Sequence, residues 1–236
     1  LKIEQEWTDI TDYYVESPRF DNNSSTGWTV ESNAYSQNKS FNTMEFWNGT
    51  FNLYQTINVP NGKYRLSVQS FYNPTNGDIG YLYVNEVRQP IAQRNSEGMS
   101  NNYGPGGWDR VTINGSRRYI PNNMEAANYC FEQGLYNNSL EVEVTDGTLT
   151  IGIASNTYEN SNWCMMDNFR LEYYGKLVPV KSITFPKSLQ TIIEGEKLQL
   201  TATVSPDNAT YRKLEWTSEK EEIASVDDTG MVTAHS

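Results

Sequence analysis

The sequence predicts an all-β protein made of antiparallel β-sandwiches, and three observations carry that reading. Helical periodicity is nearly absent, short segments alternate apolar and polar residues with a period of two, and turn signals separate them. In chain order, "FNLYQTINV" (51–59) runs into the turn "PNG" (60–62), and "KYRLSVQSFY" (63–72) and "YLYVNEV" (81–87) follow. Then "SLEVEV" (139–144) leads through the turn "TDG" (145–147) to "TLTIGIA" (148–154), and "WCMMDNFRLEYYG" (163–175) closes the series. Between 88 and 138 the alternation fades into "QRNSEGMSNNYGPGGWDRVTINGSRR", a long Gly- and Asn-rich region of the kind that carries function in compact domains. Only "NNMEAANYCFEQG" (122–134) predicts a helix, a short one ended by its Gly.

After "YYGK" the aromatics thin out while Lys, Glu and Thr rise, and Pro179 stands at the junction, so the sequence divides into domains at 1–176 and 177–236. Alternation resumes in "KLQLTATV", "LEWTS", "IASVDD" and "GMVTA", which makes the second domain a small β-sandwich as well.

Composition narrows the function. The chain has 236 residues, 13% of them aromatic, with 16 Tyr and 6 Trp, side chains that stack and hydrogen-bond at once. A formal net charge of -11 argues against nucleic acid or an anionic membrane as the main partner and favours neutral ligands or cations. The one histidine, His235, is next to the last residue, which removes Ser-His-Asp and Cys-His catalysis and histidine-bound zinc or iron from the body of the chain. Cys130 and Cys164 are too few for a disulfide scaffold and lack the paired spacing of a zinc site; whether they bridge each other stays open. No apolar run approaches the ~20 residues that cross a bilayer, and the expectation is a secreted or cell-surface protein whose signal segment has been removed.

One carboxylate looks misplaced. With a strand's two-residue period, Trp163, Met165, Asp167, Phe169, Leu171 and Tyr173 form a single apolar row with an Asp at its centre. A carboxylate on a buried face is costly unless it is paired or bound to metal. Hydrogen bonds to loop amides are one solution, and a structural calcium ion, which takes oxygen ligands from carboxylates and backbone carbonyls, is the other.

A sugar presents apolar C–H faces ringed by hydroxyls, so a site for it needs an exposed aromatic platform flanked by amides and carboxylates. The candidates are Trp47, Tyr72 with Asn73, Tyr103 and Trp108 in the glycine-rich region, and Tyr158 beside Asn160 and Asn162. Trp108, in "NYGPGGWDR", reads as the most exposed, whereas Trp28, Trp163 and Tyr64 read as core. Carboxylate-pair hydrolysis is the enzymatic alternative, with Glu45, Glu97, Asp109, Glu125 and Glu159 in loop positions, but their spacing selects no pair and no catalytic residue is assigned.

The second domain resembles the group-two bacterial immunoglobulin-like family through "VKSITF", "EGEKLQLTATVSPDNAT" and "LEWTSEKEEIASVDDTGMVTA". That resemblance implies a further strand beyond Ser236, so the domain reads as truncated or as lacking its last strand. The first domain resembles galactose-binding-like jelly rolls, which occur as carbohydrate-binding modules in secreted bacterial proteins. The residues concerned are "SPRFDNNSSTGW" (17–28), "MEFWNGTFNLYQTINVPNGKYRLSVQSFY" (44–72), "EAANYCFEQGLYNNSLEVEVTDGTLTIGI" (125–153) and "WCMMDNFRLEYYG". This likeness implies non-catalytic glycan binding within a larger multidomain protein, with the second domain as a spacer. It also implies a calcium ion held by Asp21 and Asp167. A glycoside hydrolase and a structural or adhesion spacer without a sugar ligand are the rival classes.

Overall fold

The computed structural model describes residues 6–73, 80–101, 103–156, 161–185 and 191–235. The chain divides into two compact units, Leu1–Gly175 and Lys176–Ser236. The strands of the first are β1 (Trp7–Asp9), β2 (Thr29–Ser32), β3 (Ser36–Ser40), β4 (Thr43–Trp47), β5 (Phe51–Asn58), β6 (Gly62–Asn73) and β7 (Tyr81–Val84). They continue with β8 (Val87–Pro90), β9 (Ala92–Gln93), β10 (Trp108–Ile113), β11 (Ser116–Pro121), β12 (Asn137–Val144), β13 (Thr148–Ser155) and β14 (Trp163–Tyr174). Two helices, α1 (Thr11–Tyr14) and α2 (Met124–Glu132), join them. One sheet runs β12-β6-β14-β4-β3, with β1 added to β14 and β9 to β6, and the other runs β2-β5-β13-β7-β8. The fold is all-β, as the alternation predicts.

The turns "PNG" and "TDG" do not close hairpins within a sheet. β5 pairs with β13 in one sheet while β6 pairs with β12 in the other, so both turns carry the chain from sheet to sheet. They lie side by side, with Val59 N–H donating to Gly147 O (2.9 Å) and Asn61 Nδ2 to Thr145 O (2.8 Å). Between the sheets lie Leu53, Leu66, Leu82, Ile151 and Ile153, all fully buried. Gly152 in β13 is fixed by close approach: a Cβ there would lie 2.5 Å from Leu53 O and 2.7 Å from the Tyr83 ring, which lies across it. Gly152→Ala is expected to destabilise the first unit by about 2–4 kcal/mol, the range of an overpacked site, read as a lowered midpoint in thermal unfolding.

β14 also corrects the single apolar row. Its register against β6 runs without a break from Trp163↔Asn73 to Asp167↔Gln69 and then slips by one at Arg170↔Ser67. The extra residue is a β-bulge at Asn168, whose φ is 55°, and it exchanges the two faces. Before the bulge, Trp163 and Met165 pack on the outer side with Phe71, Phe131, Tyr136 and Cys130, under α2. After it, Leu171 pairs with Leu66 and the Tyr173 ring meets Tyr64 (5.2 Å), so Phe169 and Leu171 face the interior between the sheets. Asp167 is the last residue of the outer row and does not sit mid-row on one apolar face.

That geometry also separates the cysteines. Cys130 belongs to the outer cluster, while Cys164 pairs with Tyr72 on the inner side and contacts Ser70 Oγ at 3.8 Å. Both thiols are free, the sheet stands between them, and burial pushes each up to about 12.

Helix α2 forms where the sequence places it. The Asn123 side chain accepts from Ala126 N–H at its start (3.0 Å), and Gly134, at φ 75°, follows its end.

The second unit holds β15 (Ser182–Thr184) against β17 (Thr203–Ser205), and a sheet in the order β16 (Lys197–Gln199), β19 (Met231–Ala234), β18 (Ala224–Val226). The expected strand "LEWTS" is absent: 214–218 pairs with no strand, and Trp216 instead sets its ring 6.0 Å from Phe185. Val204 and Ala209 are buried, but Ile183, Phe185, Ile193 and Ile223 are each more than half exposed.

Candidate functional site

A cleft of about 650 Å³ opens on the outer side of the first sheet, beside α2. Its floor and walls come from β3 and β4 (Asn38, Glu45, Trp47), the end of β6 (Asn73), the start of β14 (Trp163) and the segment after β9 (Arg94). Phe41, Ser161 and residues 122–125 complete the rim. Strand pairing explains the convergence: Trp163 lies opposite both Trp47 and Asn73, so three chain-distant segments reach the cleft at one level of the sheet.

The floor is held by hydrogen bonds. Glu45 accepts from Trp163 Nε1 at Oε2 (2.8 Å) and from Asn38 Nδ2 at Oε1 (2.9 Å), which leaves each oxygen able to accept once more. The Arg94 guanidinium stands 5.9 Å from the Trp163 ring centroid and is paired with Asp109, which also accepts from Asn122 Nδ2 at 2.9 Å. The amide of Asn122, with Arg94 beside it, keeps the Asp109 carboxyl below the usual range. Trp47 keeps 37% of its surface exposed, with the Tyr35 ring edge-on at 5.6 Å.

The candidate residues from the sequence fall into distinct places. Trp47 and Asn73 line the cleft. Tyr72 does not: only 1% exposed, it points inward, and its hydroxyl lies 3.1 Å from Ser155 Oγ and accepts from Asn162 Nδ2 at 2.8 Å. Its exclusion follows from the period of two, which turns the residue next to an outward Asn73 toward the core. Trp108 is half-buried; its Nε1 donates to Gly104 O (3.0 Å) and its ring meets Tyr129 edge-on at 6.2 Å. Local glycines suggest exposure there, but α2, distant in sequence, supplies the cover. Tyr103 is 46% exposed, its ring tilted 34° against Tyr119 at 4.2 Å, and it does not line the cleft. Tyr158 and Asn160 lie outside the described residues, and Asn162 is buried, bonded to both the N–H and the O of Gly49. Trp28, Trp163 and Tyr64 are core, although Trp163 also shows an edge to the cleft. Sequence reasoning missed Asn38, Phe41, Arg94 and Asn122. Glu45 and Glu125, named there only as loop carboxylates, line the same cleft.

Asp167 lies outside the cleft. It is 5% exposed, and burial pushes its carboxyl up to about 8; the Asn168 N–H (2.6 Å) and Arg19 oppose that shift, and the Asp21 carboxylate adds to it. The chain around Asp21 is strongly bent, with positive φ at Ser17, Phe20, Asn22 and Asn23, and Phe169 N–H donating to Pro18 O at 2.9 Å ties it to the bulge. Two mutually repelling carboxylates, one of them buried, are oxygen ligands of the kind calcium takes, and the Arg19 guanidinium, 3.9 Å from Asp21, is the positive charge already beside them. Among the described residues no group of three or more His, Cys, Asp or Glu is placed to hold a metal, so backbone oxygens would have to complete such a site.

Comparison with curated proteins finds no match. Among solved structures, TmCBM61 in complex with β-1,4-galactotriose is 16% identical, with TM-score 0.40, over 67% of this chain and 97% of that one. The enzymatically active domain of bacteriophage CBA120 tailspike protein 4 is 10% identical, with TM-score 0.35, over 66% of this chain and 21% of that one. The carbohydrate-binding module TmCBM27, described for specific mannan recognition, is 13% identical, with TM-score 0.28, over 72% and 96% of the two chains. Residues 179–236, already marked by "VKSITF", "EGEKLQLTATVSPDNAT" and "LEWTSEKEEIASVDDTGMVTA", match the family model of the bacterial Ig-like domain (group 2).

Proposed function

We propose that the first unit binds a glycan in the cleft beside α2 without chemically altering it, and that the Ig-like unit serves as a spacer in a secreted or cell-surface bacterial protein. The observation that carries this reading is the open cleft itself. It combines the exposed faces of Trp47 and Phe41 with Glu45, Asn38, Asn73 and Asn122, which is an apolar platform edged by acceptors and amides. A sugar ring stacks its C–H face on Trp47 while its hydroxyls donate to Glu45 and exchange hydrogen bonds with the amides. Glu45 is oriented before ligand arrives, because Trp163 and Asn38 hold it.

A neutral-glycan array probed with the intact chain tests the proposal. Binding to at least one neutral oligosaccharide is expected, falling at least about tenfold in Trp47→Ala, in line with the loss of a stacking anchor. Silence across the array, or binding unchanged in Trp47→Ala, would overturn it.

One observation favours a second reading. Glu45 and Glu125 line the same cleft, the arrangement from which a carboxylate-pair hydrolase is built. Release of reducing sugar from a bound oligosaccharide, lost in both Glu45→Gln and Glu125→Gln, would establish hydrolysis in place of binding alone. We also assign to Asp21 and Asp167 a structural calcium ion, which ties the last strand of the first unit to its bent opening segment and takes no part in ligand contact.

A further inference from the structure

β10 and β11 form a two-stranded hairpin that belongs to neither main sheet. Asn114 and Gly115, with φ of 50° and 74°, make the two-residue turn, and six residue pairs follow from Ile113↔Ser116 to Trp108↔Pro121. The hairpin is anchored at its base. Asp109 is paired with Arg94, Ile120 is buried, and Met99 exchanges two backbone hydrogen bonds of 2.9 Å with Tyr119.

The hairpin gathers three arginines within nine positions of the chain. Arg110, Arg117 and Arg118 make no ion pair among the described residues; Arg19, Arg65, Arg94 and Arg170 are each paired with a carboxylate, and of the other arginines Arg88 lies over the Tyr81 ring and Arg212 donates to Asp207 O. Three unneutralised guanidinium groups on one hairpin are notable in a chain of net charge -11. The pairs Arg110↔Tyr119 and Thr112↔Arg117 put Arg110, Arg117 and Tyr119 on one face. Asp109 lies on the reverse face, held to the body of the unit. The Tyr103 ring packs tilted against Tyr119 and stays half-exposed, so the same face offers an aromatic surface beside two guanidinium groups that make no ion pair among the described residues.

We propose that this outer hairpin face is a second binding surface, specific for an acidic glycan. In this arrangement Arg110 and Arg117 take its sulfate or carboxylate groups and Tyr103 takes a sugar face. The planar fork of a guanidinium matches both anions, and at physiological salt the field of distant carboxylates is screened beyond about 8 Å, so the local cluster decides the contact. The inference stands apart from the cleft, since neutral glycans test the cleft and acidic polymers test the hairpin.

Affinity electrophoresis of the intact chain in gels containing dextran, dextran sulfate or polygalacturonate tests it. Dextran sulfate or polygalacturonate is expected to retard the chain at physiological salt while dextran does not, and the effective polymer distinguishes sulfate from carboxylate. Arg110→Gln/Arg117→Gln weakens that retardation at least about tenfold, as expected for two lost charge-assisted contacts, and Tyr103→Ala weakens it as well. Should the double variant melt below the native chain, the single Arg110→Gln and Arg117→Gln variants carry the comparison. The proposal is overturned if neither acidic polymer retards the chain, if the arginine variants migrate as the native chain does, or if an RNA homopolymer of equal charge retards it as strongly.

Discussion

Replacing Asp167 with Asn is expected to stabilise the calcium-free protein, by an amount that grows as pH rises. Burial lifts the Asp167 carboxyl from its ordinary 3.8 to about 8, so the folded state holds a proton that unfolding releases. A group raised in this way contributes its full stability below about pH 4 and loses it as pH climbs through about 8. The span corresponds to something on the order of 5 kcal/mol. Asn keeps an oxygen for the Asn168 N–H and has no charge to bury, so Asp167→Asn and the native chain should unfold alike near pH 4 and diverge by pH 8. Calcium reverses the ranking if it binds where proposed. At ~1 mM it should raise the melting temperature of the native chain near neutral pH and leave Asp167→Asn unmoved. A stability difference that is flat with pH would show that Asp167 is not held protonated, and a native melting temperature indifferent to calcium and to chelator would remove the ion.

Asn162→Leu is the second large effect. Asn162 is buried behind the cleft, where it accepts from Gly49 N–H (2.9 Å) and donates to Gly49 O (3.1 Å) and the Tyr72 hydroxyl (2.8 Å). Its backbone O takes the Asn48 N–H at 3.0 Å, so this one residue fixes the turn that follows Trp47. Leu has nearly the same size but takes away the side-chain partners of the Gly49 N–H and O, at a cost of about 2–4 kcal/mol. For a domain of this length that corresponds to a melting temperature lower by roughly 6–12 °C. Asn162 does not line the cleft, so a positioning role predicts weaker glycan affinity in the fraction that remains folded. Asn162→Asp, which keeps the acceptor for Gly49 N–H, should recover part of it. Lost stability with unchanged affinity would confine Asn162 to structure alone.

Some of the site was legible in the sequence because its signals are local. The Gly of "EQG" and the Asn of "NNM" bracket α2 through backbone conformation and capping, which depend on a few adjacent residues. Trp47 and Asn73 sit where strands give way to loops, and such positions reach solvent on almost any sandwich. Trp108 shows the opposite case: its neighbours in sequence are glycines, and its neighbours in space are Tyr103 and Tyr129. Glu45 and Glu125 are 80 positions apart in the chain, and nothing in their local surroundings marks them as facing one cleft.

The sequence alone determined the all-β class, the order of the alternating segments and the short capped helix, because each rests on a backbone period or a turn preference encoded within a few residues. The tertiary structure decided which face of each strand remains open. A period of two states that neighbouring residues point in opposite directions, but not which direction is covered. In β14 one extra residue at Asn168 exchanged the faces midway, so that Asp167 ended an outer row and Phe169 began an inner one. Helix α2, packed on that outer row, left uncovered the end of the sheet where Trp47, Glu45 and Asn73 meet.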